Sequence, residues 1–170
     1  TQSGSTYTVN GCGNDIWNAS DQFNFDYENA SGNATAIAHV NSIQNTSAYA
    51  KAGLMFRDST ASNARYVGVY EYPGLRVAMQ WRDTIGANVA GTTSVGDTVT
   101  AKWLKLVKIG TTFSGYYATT TSTPTATDWT LIATHTDYFP YGGTYLGGLA
   151  VCSHNVSALN TATFSNFTQQ

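Results

Sequence analysis

The side chains best suited to recognising a polar ligand cluster in one stretch, Arg65 to Arg82, which reads RYVGVYEYPGLRVAMQWR. Arg and Gln hold their donors and acceptors in a fixed plane, the geometry needed to bond paired hydroxyls or a carboxylate. Two strand-like runs flank Pro73-Gly74. Pro presets φ at the first central position of a turn and Gly supplies φ > 0 at the second, which suits a type II turn. A two-residue loop there pairs Tyr72 with Leu75, Glu71 with Arg76 and Arg65 with Arg82. Period-two alternation then puts Tyr66, Tyr70, Tyr72, Leu75, Val77, Met79 and Trp81 on one face, the predicted core side. The other face carries Arg65, Val67, Val69, Glu71, Arg76, Ala78, Gln80 and Arg82, predicted open to water. Glu71 would offset Arg76 across the hairpin. A slip of one residue would turn Trp81 outward and redraw this map.

The same alternation extends the surface to neighbouring strands. Leu54 and Phe56 share one parity, with Met55 and Arg57 on the other. Leu104 and Leu106 turn inward and Trp103, Lys105 and Val107 outward; Phe113 and Tyr117 turn inward, Ser114 and Tyr116 outward. Assembled, one sheet surface would show Arg57, Arg65, Gln80, Arg82, Trp103, Lys105 and Tyr116, a cationic surface suited to a glycan, including an anionic one. Loop aromatics offer a second platform for stacking on a sugar ring: Tyr72 at the hairpin tip, and Tyr138 within Asp137-Tyr138-Phe139-Pro140-Tyr141. Each has a structural alternative. Arg57 could pair with the adjacent Asp58, Trp103 could belong to the core, and Phe139 could fold under the body of the protein as a lid.

Catalytic chemistry is poorly provided for. Glycoside hydrolysis normally needs two carboxyl groups flanking the scissile bond. Glu28 and Glu71 are the only glutamates, and Asp26 with Glu28 is the one strand-spaced acid pair. A lyase would need Arg, His and Tyr together, yet His39, His135 and His154 lie in separate segments. His154 reads as a side chain that satisfies backbone groups in its loop. No Gly-x-Ser-x-Gly, His-Glu-x-x-His, phosphate-cradling Gly loop or Cys-x-x-Cys occurs. The expectation is a binding module without catalytic residues or cofactor. A structural Ca²⁺ is left open, with Asp15, Asp21 and Asp26 as dispersed acids rather than a dense oxygen-ligand loop.

The elements that must position these groups are strands. The 170 residues suit a single domain with an ample core, and only 11% are charged, with a net charge of −2. That balance argues against a general nucleic-acid binder, and no apolar run is long enough for a membrane span. Strand-like runs recur at 6–9, 22–28, 34–43, 49–57, 65–72, 75–82, 86–91, 98–108, 111–118, 129–135, 144–151 and 160–168, broken by Gly, Asn, Ser and Thr. No amphipathic helical period persists beyond two turns. About ten short antiparallel strands predict an all-β, two-sheet sandwich. Low charge and abundant Thr and Tyr fit a secreted, extracellular domain. The chain begins at Thr1, so a leader or upstream domain is expected to precede it. In that compartment Cys12 and Cys152 would form one disulfide tying the first strand region to the last; two buried thiols are the alternative.

Five pieces in order, DIWNASDQFNFDYENASGNATAIAHV, AKAGLMFRDS, YVGVYEYPGLRVAMQWR, WLKLVKIGTTFSGYYATT and YLGGLAVCSHNVSALNTATFSNF, resemble ancillary modules of the concanavalin A-like lectin/glucanase superfamily. The resemblance runs from about Gly11 to Phe167. It implies a jelly roll of two antiparallel sheets and a module appended to a secreted bacterial polysaccharide-degrading or cell-surface protein. The partner would be a polysaccharide or oligosaccharide, with tethering to a catalytic domain in the parent protein. A laminin-G-like protein-interaction or adhesion domain is the rival reading, and a hydrolase or lyase a third. His39 stands where this pattern leads us to expect Arg, and the two cysteines lie outside the pattern.

Overall fold

The computed structural model describes residues 1–74, 76–95, 103–137, 139 and 143–170. Tyr138 therefore lies outside the described residues. Thirteen strands and no helix occur among those described. One sheet has seven strands in the order β1 (Gln2–Ser3), β2 (Thr6–Gly13), β13 (Asn155–Gln169), β4 (Ala34–Ile43), β9 (Trp103–Ile109), β10 (Thr112–Ala118) and β11 (Thr130–Thr136). The other has six: β3 (Asn24–Ser31), β12 (Thr144–Cys152), β5 (Lys51–Arg57), β6 (Tyr66–Tyr72), β7 (Arg76–Arg82) and β8 (Gly91–Val95). The strand expected over 86–91 lies instead at Gly91–Val95.

The two sheets close on a shared apolar layer. Leu54, Phe56, Val67, Val69, Val77 and Met79 from the six-stranded sheet meet Ala36, Ala38, Leu104, Leu106 and Phe113 from the seven-stranded one. The inner positions of β4 are almost all alanine, which leaves room for the larger side chains in the same cluster. Close packing of that kind is what a core needs. Phe139 joins this layer, 2% exposed and stacked 5.0 Å from Phe113, so it is the lid rather than a free platform.

The central hairpin differs from expectation in register. Tyr72 pairs with Arg76, Glu71 with Val77, Val69 with Met79 and Tyr66 with Arg82. The connection is therefore three residues, 73–75, not two. Adding one residue to the turn shifts every cross-strand pair and inverts which face of β6 matches which face of β7. The parity predicted for β7 holds, since Val77 and Met79 enter the core and Trp81 packs against it. That for β6 is reversed: Val67 and Val69 face inward, while Tyr66, Tyr70 and Tyr72 lie on the outer face with Arg76, Ala78, Gln80 and Arg82. Glu71 and Arg76, expected to neutralise one another, point to opposite sides of the sheet.

The outer face is not bare. The segment 14–23 between β2 and β3 folds across it, and Ile16 is sealed against Met55, Tyr66, Tyr70, Tyr72, Ala150 and Cys152. The Tyr70 ring reaches back across Gly68, where even a Cβ would sit 2.1 Å from its hydroxyl. The expected Cys12–Cys152 bridge is not formed. Cys12 is exposed, and its thiol donates to the Val156 carbonyl at 3.5 Å. Cys152 is buried on the outer face of the six-stranded sheet, where burial pushes its thiol up to about 11.

Candidate functional site

The cations predicted to form an open surface are largely spent on holding segment 14–23 in place. Arg82 is fully buried and donates to both carboxylate oxygens of Asp21, at 2.6 and 2.7 Å. Arg57, 1% exposed, donates to the same carboxylate at 2.7 Å and to the carbonyls of Ser59 and Ala61. Burial opposes the charged form of Arg82, but the hydrogen bonds and charge of Asp21 outweigh it, and its pKa lies above the ordinary guanidinium value. Arg82 also donates to the backbone carbonyls of Trp17 and Asn18, at 3.3 and 2.8 Å. Arg65 is buried too, pairing with Asp58 at 2.6 Å and lying over Phe139. Asp58 thus serves Arg65, not the adjacent Arg57. None of these three guanidinium groups lies open to water, contrary to the surface predicted for them.

Trp103, Lys105 and Tyr116 occupy the other side of the molecule. They project from the outer face of the seven-stranded sheet, where Lys105 lies 4.4 Å from the Tyr116 ring and 4.2 Å from Trp129. Trp103 is 3% exposed beside His39, their rings 4.9 Å apart. The single sheet surface assembled from sequence parity is therefore two surfaces on opposite sides of the sandwich. Parity gave inward and outward correctly for these strands but carried no information on which sheet each strand joins.

Where segment 14–23 stops covering the outer face, a groove of about 570 Å³ opens over β6, β7 and β8. This lies within the usual volume range of small-ligand sites. Its floor is Tyr72, Arg76, Ala78 and Gln80. Thr92 and Ser94, cross-strand neighbours of Gln80 and Ala78, continue it along β8. Asn14, Asp15, Trp17 and Asn18 from the covering segment border it, and Lys51, Tyr49 and His154 complete it. Arg82 thus acts at one remove, anchoring the backbone of Trp17 and Asn18 beside the groove. Gln80 and Tyr72 are the two predicted ligand residues that line it. Asn14, Trp17, Tyr49, Thr92, Ser94 and His154 were not singled out for binding, being ordinary residues far apart in sequence.

The electrostatics of the groove are uneven. Lys51 is buried and paired with Asp15. His154 approaches the same carboxylate at 3.4 Å and Ser47 Oγ at 3.3 Å, so its ring meets side chains rather than the backbone groups expected of it. Arg76 stacks over Tyr72 at 4.2 Å and near Tyr49 at 5.5 Å, and no ion pair engages it among the described residues. Burial holds the Tyr72 phenol well above its ordinary range, with the Arg76 charge opposing. Gln80 is 3% exposed, and its buried Oε1 has no hydrogen-bond partner. Tyr49 is exposed at 56% and presents its ring beside His154.

The acids weighed for metal binding do not converge. Asp15 serves Lys51, Asp21 serves Arg57 and Arg82, and Asp26 is exposed on the edge strand β3. Among the described residues, Asp83, His135 and Asp137 bring one ligand atom each within 4.8 Å of one another. There His135 already bonds Asp83 at 2.7 Å and stacks on Trp81. Asp26 and Glu28, the only strand-spaced acid pair, border a separate pocket of about 200 Å³ with Tyr7 and Phe167.

No protein-family model matches the chain, and no curated protein matches it in sequence. Solved structures do match it in three dimensions. A functionally unknown protein from Saccharomyces cerevisiae superposes with a TM-score of 0.73 at 17% identity, over 100% of this chain and 90% of that one. A K247S mutant of the GH43 protein BlXynB from Bacillus licheniformis gives 0.56 at 16% identity, over 81% of this chain and 27% of that longer one. Sheep galectin-11, in complex with glycerol, gives 0.53 at 9% identity, over 86% and 98%. Similarity at these identities is similarity of fold. The chain is an all-β, two-sheet antiparallel sandwich of the jelly-roll type.

Proposed function

We propose that this chain is a carbohydrate-binding module without catalytic activity of its own, and that its groove over β6, β7 and β8 holds a segment of polysaccharide. One observation carries the reading. A buried amide oxygen, Gln80 Oε1, lacks a partner in a groove that also offers aromatic rings and several amide and hydroxyl side chains. An unsatisfied buried acceptor costs about 1–3 kcal/mol, and a ligand hydroxyl that reached it from the groove would remove that cost. Trp17 and Tyr49 supply ring surface for sugar C–H groups, while Asn14, Asn18, Thr92 and Ser94 supply polar edges. The module would be secreted and would keep a tethered catalytic domain near its substrate through effective concentration.

Hydrolysis fits the groove poorly. Its one carboxylate among the described residues, Asp15, is engaged by Lys51, where a glycosidase needs two. A lyase is the second reading. The convergence of His154, Tyr49 and Arg76 favours it, since these lie in separate segments yet border one groove. The test is retention on a panel of soluble and insoluble polysaccharides, followed by calorimetry on whichever is retained. Weakened binding in Gln80→Ala and Tyr49→Ala, with unchanged thermal unfolding, supports the module. Accumulation of unsaturated sugar ends, read by ultraviolet absorbance and lost in His154→Ala, would establish the lyase instead. Retention on no glycan would reject both and leave the protein-interaction domain.

A further inference from the structure

We infer that the glycan held in the groove is acidic, carrying a uronate whose carboxylate is bound by Arg76. The inference rests on the carbohydrate-binding reading and specifies its ligand. It begins with the register of the hairpin. A two-residue turn would have set Glu71 against Arg76; the three-residue turn sets Tyr72 there and sends Glu71 to the other face. Arg76 is left on the groove floor with two aromatic rings and no carboxylate partner among the described residues. Stacking on a ring face leaves a guanidinium's in-plane N–H donors free, and that fork matches two carboxylate oxygens. The other groove cation is unavailable, because Lys51 is taken up by Asp15. Among the described residues, two cations and one carboxylate line the groove, an excess of one positive charge with His154 left aside.

Gln80 narrows the ligand further. Its unpartnered atom is an acceptor, so it needs a donor from the ligand, which a carboxylate cannot supply and a hydroxyl can. One ligand must therefore bring an anionic planar group to Arg76 and a hydroxyl to Gln80. An inorganic anion such as sulfate offers no such donor; a uronic acid polymer offers both. Arg76 and Gln80 are four residues apart on one strand, about 13 Å along its axis, which exceeds the span of a single pyranose. That backbone spacing suits an oligomer whose two contacts fall on different sugars.

The experiment is calorimetry on the intact chain with polygalacturonate, alginate and glucuronoxylan, each compared with its carboxyl-reduced form. Dextran sulfate serves as an anionic control and galacturonic acid as the monomer. The expected result is binding to at least one acid polymer, at least about tenfold weaker after carboxyl reduction. Arg76→Gln is expected to abolish that preference and Arg76→Lys to restore part of it. Gln80→Ala should weaken native and reduced polymers alike, and the monomer should bind at least tenfold more weakly than the polymer. Equal binding of native and carboxyl-reduced polymers, a preference that survives Arg76→Gln, or equal binding of dextran sulfate would overturn the uronate ligand. If neutral polymers still bind and Gln80→Ala weakens them, the carbohydrate reading stands without it. If no glycan in either form is bound, both readings fall together.

Discussion

Arg82 and Asp21 meet through two parallel hydrogen bonds with both side chains fully buried, and Arg57 joins the same carboxylate from β5, two strands away in the same sheet. One carboxylate therefore compensates two buried guanidinium groups and anchors the segment that borders the groove. Removing it leaves both cations buried without their acid. Asp21→Asn is expected to lower stability by about 3–5 kcal/mol, read from urea unfolding monitored by tryptophan fluorescence. Any folded fraction should bind glycan more weakly, because the backbone of Trp17 and Asn18 is no longer held. A loss below about 1 kcal/mol would mean that the apolar contacts of Ile16 alone keep the segment in place.

The two cysteines should differ sharply towards a thiol reagent. Cys12 is exposed, whereas burial raises Cys152 from 9.0 to about 11. Reactivity follows the thiolate, so at about pH 8 the native protein should titrate one thiol rapidly and a second only on unfolding. Two unreactive sulfurs that become reactive after reduction would instead establish a disulfide.

Alkali should destabilise the fold. Burial, reinforced by the charge of Asp21, holds the phenols of Tyr66 and Tyr70 well above 10.0. The folded state keeps these protons, while an unfolded tyrosine releases its proton near pH 10. Stability from this source is complete below about pH 10 and declines above it, because the unfolded state binds fewer protons there. Urea midpoints measured from about pH 8 to about pH 11 should fall over the upper part of that range, and Tyr66→Phe should flatten the fall.

Some of this architecture is legible in the sequence, and the rest fails for identifiable reasons. On β7, apolar Val77 and Met79 alternate with Gln80 and Arg82, so the inward face reads directly. On β6, valines alternate with tyrosines; both faces are apolar enough to be core, and a single residue of turn length decides between them. Outward parity for Trp103 and Lys105 is readable, but parity cannot tell which of two sheets a strand joins. The covering segment NDIWNASDQF has no period at all. Its position follows from charge pairing between Asp21 and two arginines far along the chain, a match that no local pattern announces. The groove inherits that opacity, since its residues come from five separate stretches.

The separation of the two outer faces has a direct consequence. Lys105 and Trp129 lie on the seven-stranded sheet, across the sandwich from the groove. Trp129→Ala should leave glycan affinity within about twofold of the parent, whereas Tyr49→Ala should lower it at least about tenfold. The opposite pattern would move the binding surface to the seven-stranded sheet.

Gln80 allows stability and binding to be set against each other. A residue kept for folding is expected to satisfy its own polar atoms, and this one leaves a buried acceptor unmet in the free protein. Replacing it with Met keeps a long unbranched side chain and removes the desolvated amide. Gln80→Met should therefore unfold at equal or higher urea concentration, with a gain of up to about 1 kcal/mol. Its glycan affinity should fall, because the hydroxyl that met the amide then faces a thioether. A loss of stability in this variant would indicate that the amide supports the sheet rather than a ligand. Increased stability with weakened binding is the combination that only a ligand-directed glutamine produces.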